Sequence, residues 1–130
     1  MRLDGHIHTG LERADYNLNP AENQENLMKG LKAAGLDGGV IFSVDPLKFA
    51  DWDPEKRLQD CLDTCKGQDN LYPFYYINPV ESDFMDQVDM ALKAGVYGFK
   101  MICTLYKPSD DRCLQVCEKA AQNGKPVLFH

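Results

Sequence analysis

The stretch Gly39-Val40-Ile41-Phe42-Ser43 is short, apolar and rich in residues that favour β-strands. Because its apolar residues run without alternation, it is typical of a strand covered on both faces, as in a parallel sheet. A longer amphipathic segment lies on each side of it, and the one before it carries apolar residues at helical spacing, such as Leu27 and Leu31. The pattern indicates strands that alternate with helices.

The same alternation recurs along the whole chain. The expected strands cover residues 2–8, 39–43, 71–77, 97–102 and 126–129, and the expected helices cover residues 20–34, 54–65, 82–94 and 109–122. Asn19 and Glu22 can form a capping box at the start of the first helix. Successive strands begin roughly 30 residues apart, which is the length of one βα unit. The sequence therefore predicts one α/β domain over residues 1–130, either an open doubly wound sheet or half of an eight-stranded βα barrel.

Composition restricts the functions that such a domain can have. The chain has 130 residues, a net charge of −6 and no basic cluster, which argues against nucleic acid or an anionic membrane as a partner. No apolar run approaches the roughly 20 residues of a membrane-spanning helix. Met1-Arg2-Leu3-Asp4 is unlike a signal peptide, and the five cysteines are an odd number, so we expect reduced thiols and a cytoplasmic location.

The chain contains a motif with the geometry of a metal chelate, Asp4-Gly5-His6-Ile7-His8. Residues two apart in a strand point to the same face, so His6 and His8 are expected to converge at the end of the first strand. His130 follows the last expected strand and is placed in the same way. Ligands bind at the carboxyl ends of strands in parallel α/β folds, so the three histidines are candidate ligands of a divalent metal. The alternatives are a chance pair at one end of the chain and a frayed residue at the other.

These motifs resemble the amidohydrolase superfamily of metal-dependent hydrolases. Asp4-Gly5-His6-Ile7-His8 is similar to the family's strand 1 motif, and Tyr76-Ile77-Asn78-Pro79 to the strand 3 ending of amidohydrolase family 2, the branch that includes aminocarboxymuconate-semialdehyde decarboxylase-like enzymes. Gly98-Phe99-Lys100-Met101 resembles strand 4 of that branch, and residues 124–130 resemble strand 5. The resemblance implies the N-terminal half of a TIM barrel, with strands 1 to 5 of 8, a parallel sheet and outer helices.

The resemblance also implies a function. His6, His8 and His130 would bind a divalent metal, with zinc as the first candidate, that activates water for hydrolysis of a C–N or C–O bond in a small molecule or else supports decarboxylation. The family takes further ligands from strands 6 and 8, which have no counterpart here, so we expect the chain to be inactive alone. Its partner would be a second copy or a complementary C-terminal half. The alternative is a non-catalytic half-barrel that associates with itself.

Lys100 is the candidate catalytic residue of the fourth strand. It shares a strand face with Ile102, and Phe99 and Met101 occupy the other face. A buried lysine is costly unless it is neutralised, paired or functional. Substrate binding, an internal ion pair, a carbamylated metal ligand and an ordinary structural lysine all remain open.

The other polar candidates are less distinctive. Asp45 and Asn78 follow the second and third strands and either contact substrate or form turns before a proline. The pairs Cys61/Cys65 and Cys113/Cys117 lie on the apolar faces of helices, which favours core packing over metal binding, and Cys103 lies near the carboxyl end of the fourth strand.

Overall fold

The computed structural model describes residues 1–8 and 20–130, with side chains in the second range from residue 24 onward. The strands are β1 Leu3–His8, β2 Gly38–Phe42, β3 Leu71–Tyr76, β4 Gly98–Met101 and β5 Val127–Phe129. The helices are α1 Pro20–Ala33, α2 Pro54–Cys65, α3 Phe84–Ala94 and α4 Asp111–Gln122. Each of these elements lies within two residues of its expected bounds. Asn19 and the Glu22 side chain, which we expected to cap α1, lie outside the described residues.

The five strands form one sheet in the order β1-β2-β3-β4-β5, and every neighbouring pair is parallel. Each crossover therefore leads to the next strand in the same direction. A doubly wound sheet reverses its strand order at a switch point, whereas the order of the five described strands follows the chain without reversal. The architecture is that of a half-barrel, an all-parallel sheet with helices outside it.

Contacts across the sheet show how strongly it is curled. Adjacent strands lie about 4.8 Å apart, so the first and fifth strands of a flat sheet would be separated by about 19 Å. The rings of His6 on β1 and His130 after β5 nevertheless have centroids only 5.3 Å apart. The two edges of the sheet must therefore curve toward each other, so that their inward side chains meet over the middle strands.

The convex face is the side of the sheet that packs against the helices. Ile7 and Ile41 meet α1 and α2 through Leu31 and Cys61, and Tyr75 and other residues of β3 to β5 meet the later helices. The buried members of the larger cluster are Leu58, Tyr75, Ile77, Val88, Ala91, Val96, Phe99, Met101, Cys113, Val116 and Ala120. This face contains the core of the domain.

Local sequence signals account for the helix ends. The Asp53 carboxylate accepts the backbone N–H of Lys56 at 2.7 Å, and Pro54 fills the first helical position of α2. The Asp110 side chain accepts the N–H of Arg112 at the start of α4. Helix α3 ends at Gly95, whose φ of +85° is a left-handed conformation that glycine adopts without strain. In the described residues, no helix has the length and apolar character needed to cross a membrane.

Candidate functional site

The histidine pair of β1 is shaped by an irregularity in the strand. Between Asp4 and Ile7 the register with β2 shifts by one residue, so β1 contains a β-bulge. The Asp4 carboxylate accepts the backbone N–H of His6 at 2.9 Å within the bulge. Beyond the bulge, Ile7 packs on the convex face. Because neighbouring residues of a strand point to opposite faces, His6 and His8 point to the concave face. Their Nε2 atoms are 2.9 Å apart.

His130 approaches the pair from the opposite edge of the sheet. Its backbone N–H donates to the carbonyl of Met101 at 3.0 Å, so the β4–β5 ladder continues to this residue. Its ring makes an edge contact with the ring of His6, at an interplanar angle of 72°. The three histidines predicted from the sequence are therefore brought together on the concave face.

We define the concave face by His6, His8, Phe42, Phe74, Tyr76, Lys100 and His130. Phe42 lies at its centre and is fully buried, with the rings of His6 and His8 at 5.1 and 5.2 Å. Its ring contacts Phe74 on β3, and Tyr76 lies 6.5 Å from His8. The histidines thus rest on aromatic side chains that exclude water from one side of the site.

Burial and neighbouring charge keep the imidazoles of His6 and His8 neutral. Burial lowers the pKa of His8 to about 4, and the nearby His6 and Lys100 add to this effect, while Asp45 opposes it. Burial, Lys100 and His130 also lower the pKa of His6. Neutral imidazole is the form that binds a metal ion, so the pair has the protonation state of a ligand at neutral pH.

The pair has the donor chemistry for a divalent metal. Zinc binds imidazole nitrogen at 2.0–2.1 Å, so two tetrahedral ligands have nitrogens about 3.3 Å apart, and the observed 2.9 Å is slightly closer. Without a metal, this distance is a hydrogen bond in which one ring donates to the other. Over residues 1–8 and 24–130, no three His, Cys, Asp or Glu side chains are grouped so that they could hold a metal ion. The three-histidine ligand set therefore stays a prediction.

Lys100 lies on the concave face, which the alternation in β4 left undecided. Its neighbours Phe99 and Met101 pack on the convex face, whereas its Nζ lies 4.7 Å from the centroid of the Phe42 ring. Only 2% of Lys100 is exposed, and this burial lowers its pKa. Among the described residues no carboxylate pairs with it, so the internal ion pair that we considered is not observed there.

The two loop candidates form turns. The Asp45 side chain accepts the N–H of Leu47 at 2.9 Å, and that of Asn78 accepts the N–H of Val80 at 3.2 Å. Asp45 also lies close enough to influence the pKa of His8. Turn formation therefore accounts for both residues, and Asp45 has an additional electrostatic effect on the site.

The cysteines lie where the apolar pattern placed them. Cys61, Cys65 and Cys113 are buried, and Cys61 donates to the carbonyl of Ile41 at 3.4 Å. Cys103 and Cys117 are half-buried, and burial raises the pKa of the Cys113 thiol to about 11. This pKa keeps Cys113 protonated at neutral pH, as expected of a core residue.

Sequence reasoning missed Phe42 and Tyr76 as parts of the site. The available signal was strand alternation. Because Ile41 and Tyr75 pack on the convex face, their neighbours Phe42 and Tyr76 must face the other way. A continuous apolar strand hides this division, since both of its faces carry large apolar side chains.

Comparison with known families and proteins identifies no family for this chain. No model of a protein family matches the chain, and no curated protein matches it significantly.

Proposed function

We propose that the chain is the N-terminal half of a TIM-barrel metal-dependent hydrolase of the amidohydrolase type. The observation that carries the proposal is the pair of imidazole nitrogens 2.9 Å apart at the carboxyl end of β1, with the ring of His130 beside them. Active sites of βα barrels lie at the carboxyl ends of the strands, which is where all three histidines are found.

Five side chains of the concave face have a role in this proposal. His6 and His8 would hold the metal through Nε2, and His130 would complete the ligand set. A bound zinc ion would supply an activated water and polarise a carbonyl or carboxyl group of a small-molecule substrate. Phe42 keeps water away from the buried side of the pair, which strengthens electrostatic interactions there. Lys100 lies close enough to influence the pKa of both His6 and His8.

The proposal separates metal binding from turnover. The family's ligands from strands 6 and 8 have no counterpart in these 130 residues. We therefore expect a polypeptide of this sequence to bind zinc and to hydrolyse substrates poorly until a complementary half supplies those groups.

Metal analysis tests the proposal. After dialysis against zinc, we expect about one bound ion per chain, and little metal in His6→Ala/His8→Ala. His130→Ala should bind zinc more weakly than wild type, because it removes the third imidazole. A Cys113→Ser/Cys117→Ser variant serves as the control and should bind as wild type does. Equal metal content in wild type and the His6/His8 double variant would disprove the proposal.

A second candidate is a non-catalytic half-barrel that associates with itself. The observation in its favour is that, among the strands that the structure describes, β1 and β5 each have a single neighbour in the sheet. Phe129 on β5 and Leu114 on α4 are also large apolar residues with 45% and 48% of their surface exposed. Unpaired edges next to exposed apolar side chains favour association.

Light scattering after size-exclusion chromatography tests this candidate. We expect wild type to form a dimer or larger species and Phe129→Lys to shift it toward the monomer, because lysine at a sheet edge opposes edge pairing. Tyr97→Lys, at an exposed aromatic position before β4, is the control. A wild-type monomer would contradict self-association and leave the metal proposal to its own test.

A further inference from the structure

We propose that a cavity beside the concave face, at the carboxyl ends of β3 and β4, is a subsite for an uncharged group of the substrate, a hydrogen-bond acceptor on an apolar body such as a ketone or an ether. Tyr106 donates the hydrogen bond that recognises this group. The inference deepens the proposed function by naming a part of the substrate that does not react, and it rests on the concave face being the active site.

The cavity lies directly next to the histidine pair. Its volume is about 180 Å³, and it is lined by the loop after β2, by Tyr76 and Asn78 at the end of β3, and by side chains from residues 102–106 after β4. Tyr76 also belongs to the concave face, where the centroid of its ring lies 6.5 Å from that of His8. A substrate held at the histidines could therefore extend past Tyr76 into this cavity.

The cavity contains a buried donor that has no acceptor. The Tyr106 hydroxyl is shielded from solvent, and no partner with hydrogen-bond geometry is found for it among the described residues. Burial raises the pKa of Tyr106, so the hydroxyl keeps its proton. The backbone of Ile102 lowers this pKa, which is the effect of an N–H donor, and a donor cannot accept the hydroxyl proton. Because buried polar groups are otherwise paired, the unused donor indicates a ligand that supplies the acceptor.

The cavity wall favours an uncharged group. The apolar side chains that line it are Pro46, Leu47, Ile102 and Leu105. No charged side chain is among the described residues that line it. The negative charge of Asp45 is close enough to raise the pKa of Tyr76, in addition to the larger effect of burial. An anion would meet this negative charge without a compensating cation, so the site discriminates against it.

The cavity can open on its solvent side. As it stands it is too narrow for a water molecule, so solvent cannot satisfy Tyr106 either. Leu47 and Leu105 line it from two different loops, with 48% and 57% of their surface exposed. Half-exposed side chains can change rotamer without disrupting core packing, and such changes are common when a ligand binds. Rotation of the two leucines would widen the cavity.

The test is an NMR titration of the metal-free protein with three small cyclic probes. Cyclohexanone carries an acceptor, methylenecyclohexane has nearly the same shape without the oxygen, and cyclohexanecarboxylate adds a negative charge. The ring protons of Tyr106 and the methyl groups of Leu47 and Leu105 are followed. We expect saturable shifts with cyclohexanone and weaker binding of the other two probes.

Two variants locate the binding. Tyr106→Phe removes only the hydroxyl, and it should bind cyclohexanone about 2- to 10-fold more weakly, the range expected for one hydrogen bond between uncharged groups. Because this hydroxyl has no acceptor in the free protein, Tyr106→Phe should melt at the wild-type temperature or above it. Tyr97→Phe is the matched control, since it removes an exposed tyrosine hydroxyl at the opposite end of β4. It should bind cyclohexanone as wild type does.

Several results would overturn the subsite. They are equal cyclohexanone affinity in wild type and Tyr106→Phe, an equal loss in Tyr97→Phe, or either comparison probe bound as tightly as cyclohexanone. A lower melting temperature for Tyr106→Phe would also overturn it, because the hydroxyl would then already be paired.

The titration separates the subsite from the metal site. A protein that binds zinc but shows no saturable cyclohexanone shifts at Leu47 and Leu105 would refute the subsite alone. A protein that binds cyclohexanone there but no zinc would refute the metal site alone. Tyr106→Phe should bind zinc as wild type does.

Discussion

The two faces of the sheet differ in what their side chains do. On the convex face, Ile41, Tyr75 and Phe99 are fully buried against helices. On the concave face, His6 and His130 are exposed, yet Lys100 is buried without an ion pair among the described residues. Apolar burial stabilises the first face, whereas the second keeps polar groups that cost stability. The comparison separates residues that hold the fold together from residues available for chemistry.

Phe99→Ala should have the largest effect, since it removes a fully buried ring from the convex core. We expect the free energy of unfolding to fall by about 3–5 kcal/mol, measured by chemical denaturation. Leu114→Ala, at a position on α4 with 48% of its surface exposed, is the control and should change stability little. A loss below about 1 kcal/mol for Phe99→Ala would contradict the assignment of the core to this face.

Gly98→Ala tests packing at the amino-terminal end of the concave face. A Cβ on Gly98 would press against the Phe74 ring and lie 2.6 Å from the carbonyl oxygen of Pro126. Because a backbone atom cannot easily move aside, we expect a loss of about 2–3 kcal/mol in a thermal or chemical melt. Gly5→Ala is the matched control, since nothing lies within 4 Å of its Cβ position. Equal stability of the two variants would show that β3 and β4 are less closely packed than described.

Lys100→Met should act in the opposite direction to Phe99→Ala, although the two residues are adjacent in β4. Replacing a buried charge with an apolar side chain of similar length removes a desolvation cost, so we expect the free energy of unfolding to rise by about 1–3 kcal/mol. Lys125→Met should leave it unchanged. If Lys100→Met is instead destabilised as strongly as Phe99→Ala, Lys100 has a structural role and the distinction between the faces fails at β4.

The pH dependence of stability tests the concave face at His8, whose partial exposure lets solvent screening reduce the effect. His8 has a pKa of about 4 in the folded protein, against 6.5 as its ordinary value. The unfolded chain therefore takes up a proton at higher pH than the folded chain, so stability should fall as pH decreases from 6.5 toward 4. In metal-free protein, His8→Gln should flatten this part of the curve. If His8→Gln left the slope of the free energy of unfolding against pH unchanged, the lowered pKa of His8 would be contradicted.

The convex face could be predicted from the sequence, and much of the concave face could not. Helix spacing of residues such as Leu31 and Leu58 reports burial directly and predicted the helices, and short apolar runs predicted the strands. Strand alternation also predicted that His6 and His8 would share a face. It could not decide the face of Lys100, because β4 is buried on both sides.

The curvature that joins His6 to His130 is a tertiary property. It depends on how four helices pack across five strands, and no local pattern encodes it. The bulge in β1 was equally invisible, because the only local sign of it is an Asp4 side chain that accepts a backbone N–H two residues later. Functional residues in the loops were harder still to predict. Turn formation already explains why Asp45 and Asn78 have their residue types, so no separate sign of another role was visible.

X-ray absorption spectroscopy of the zinc-loaded protein tests most directly the claim that the concave face is a metal site. The account predicts nitrogen or oxygen ligands at about 2.0–2.1 Å, with the outer-shell scattering of at least two imidazoles and no sulfur near 2.3 Å. The imidazole signal should disappear in His6→Ala/His8→Ala. Sulfur ligands, or an imidazole signal that persists in that variant, would contradict it.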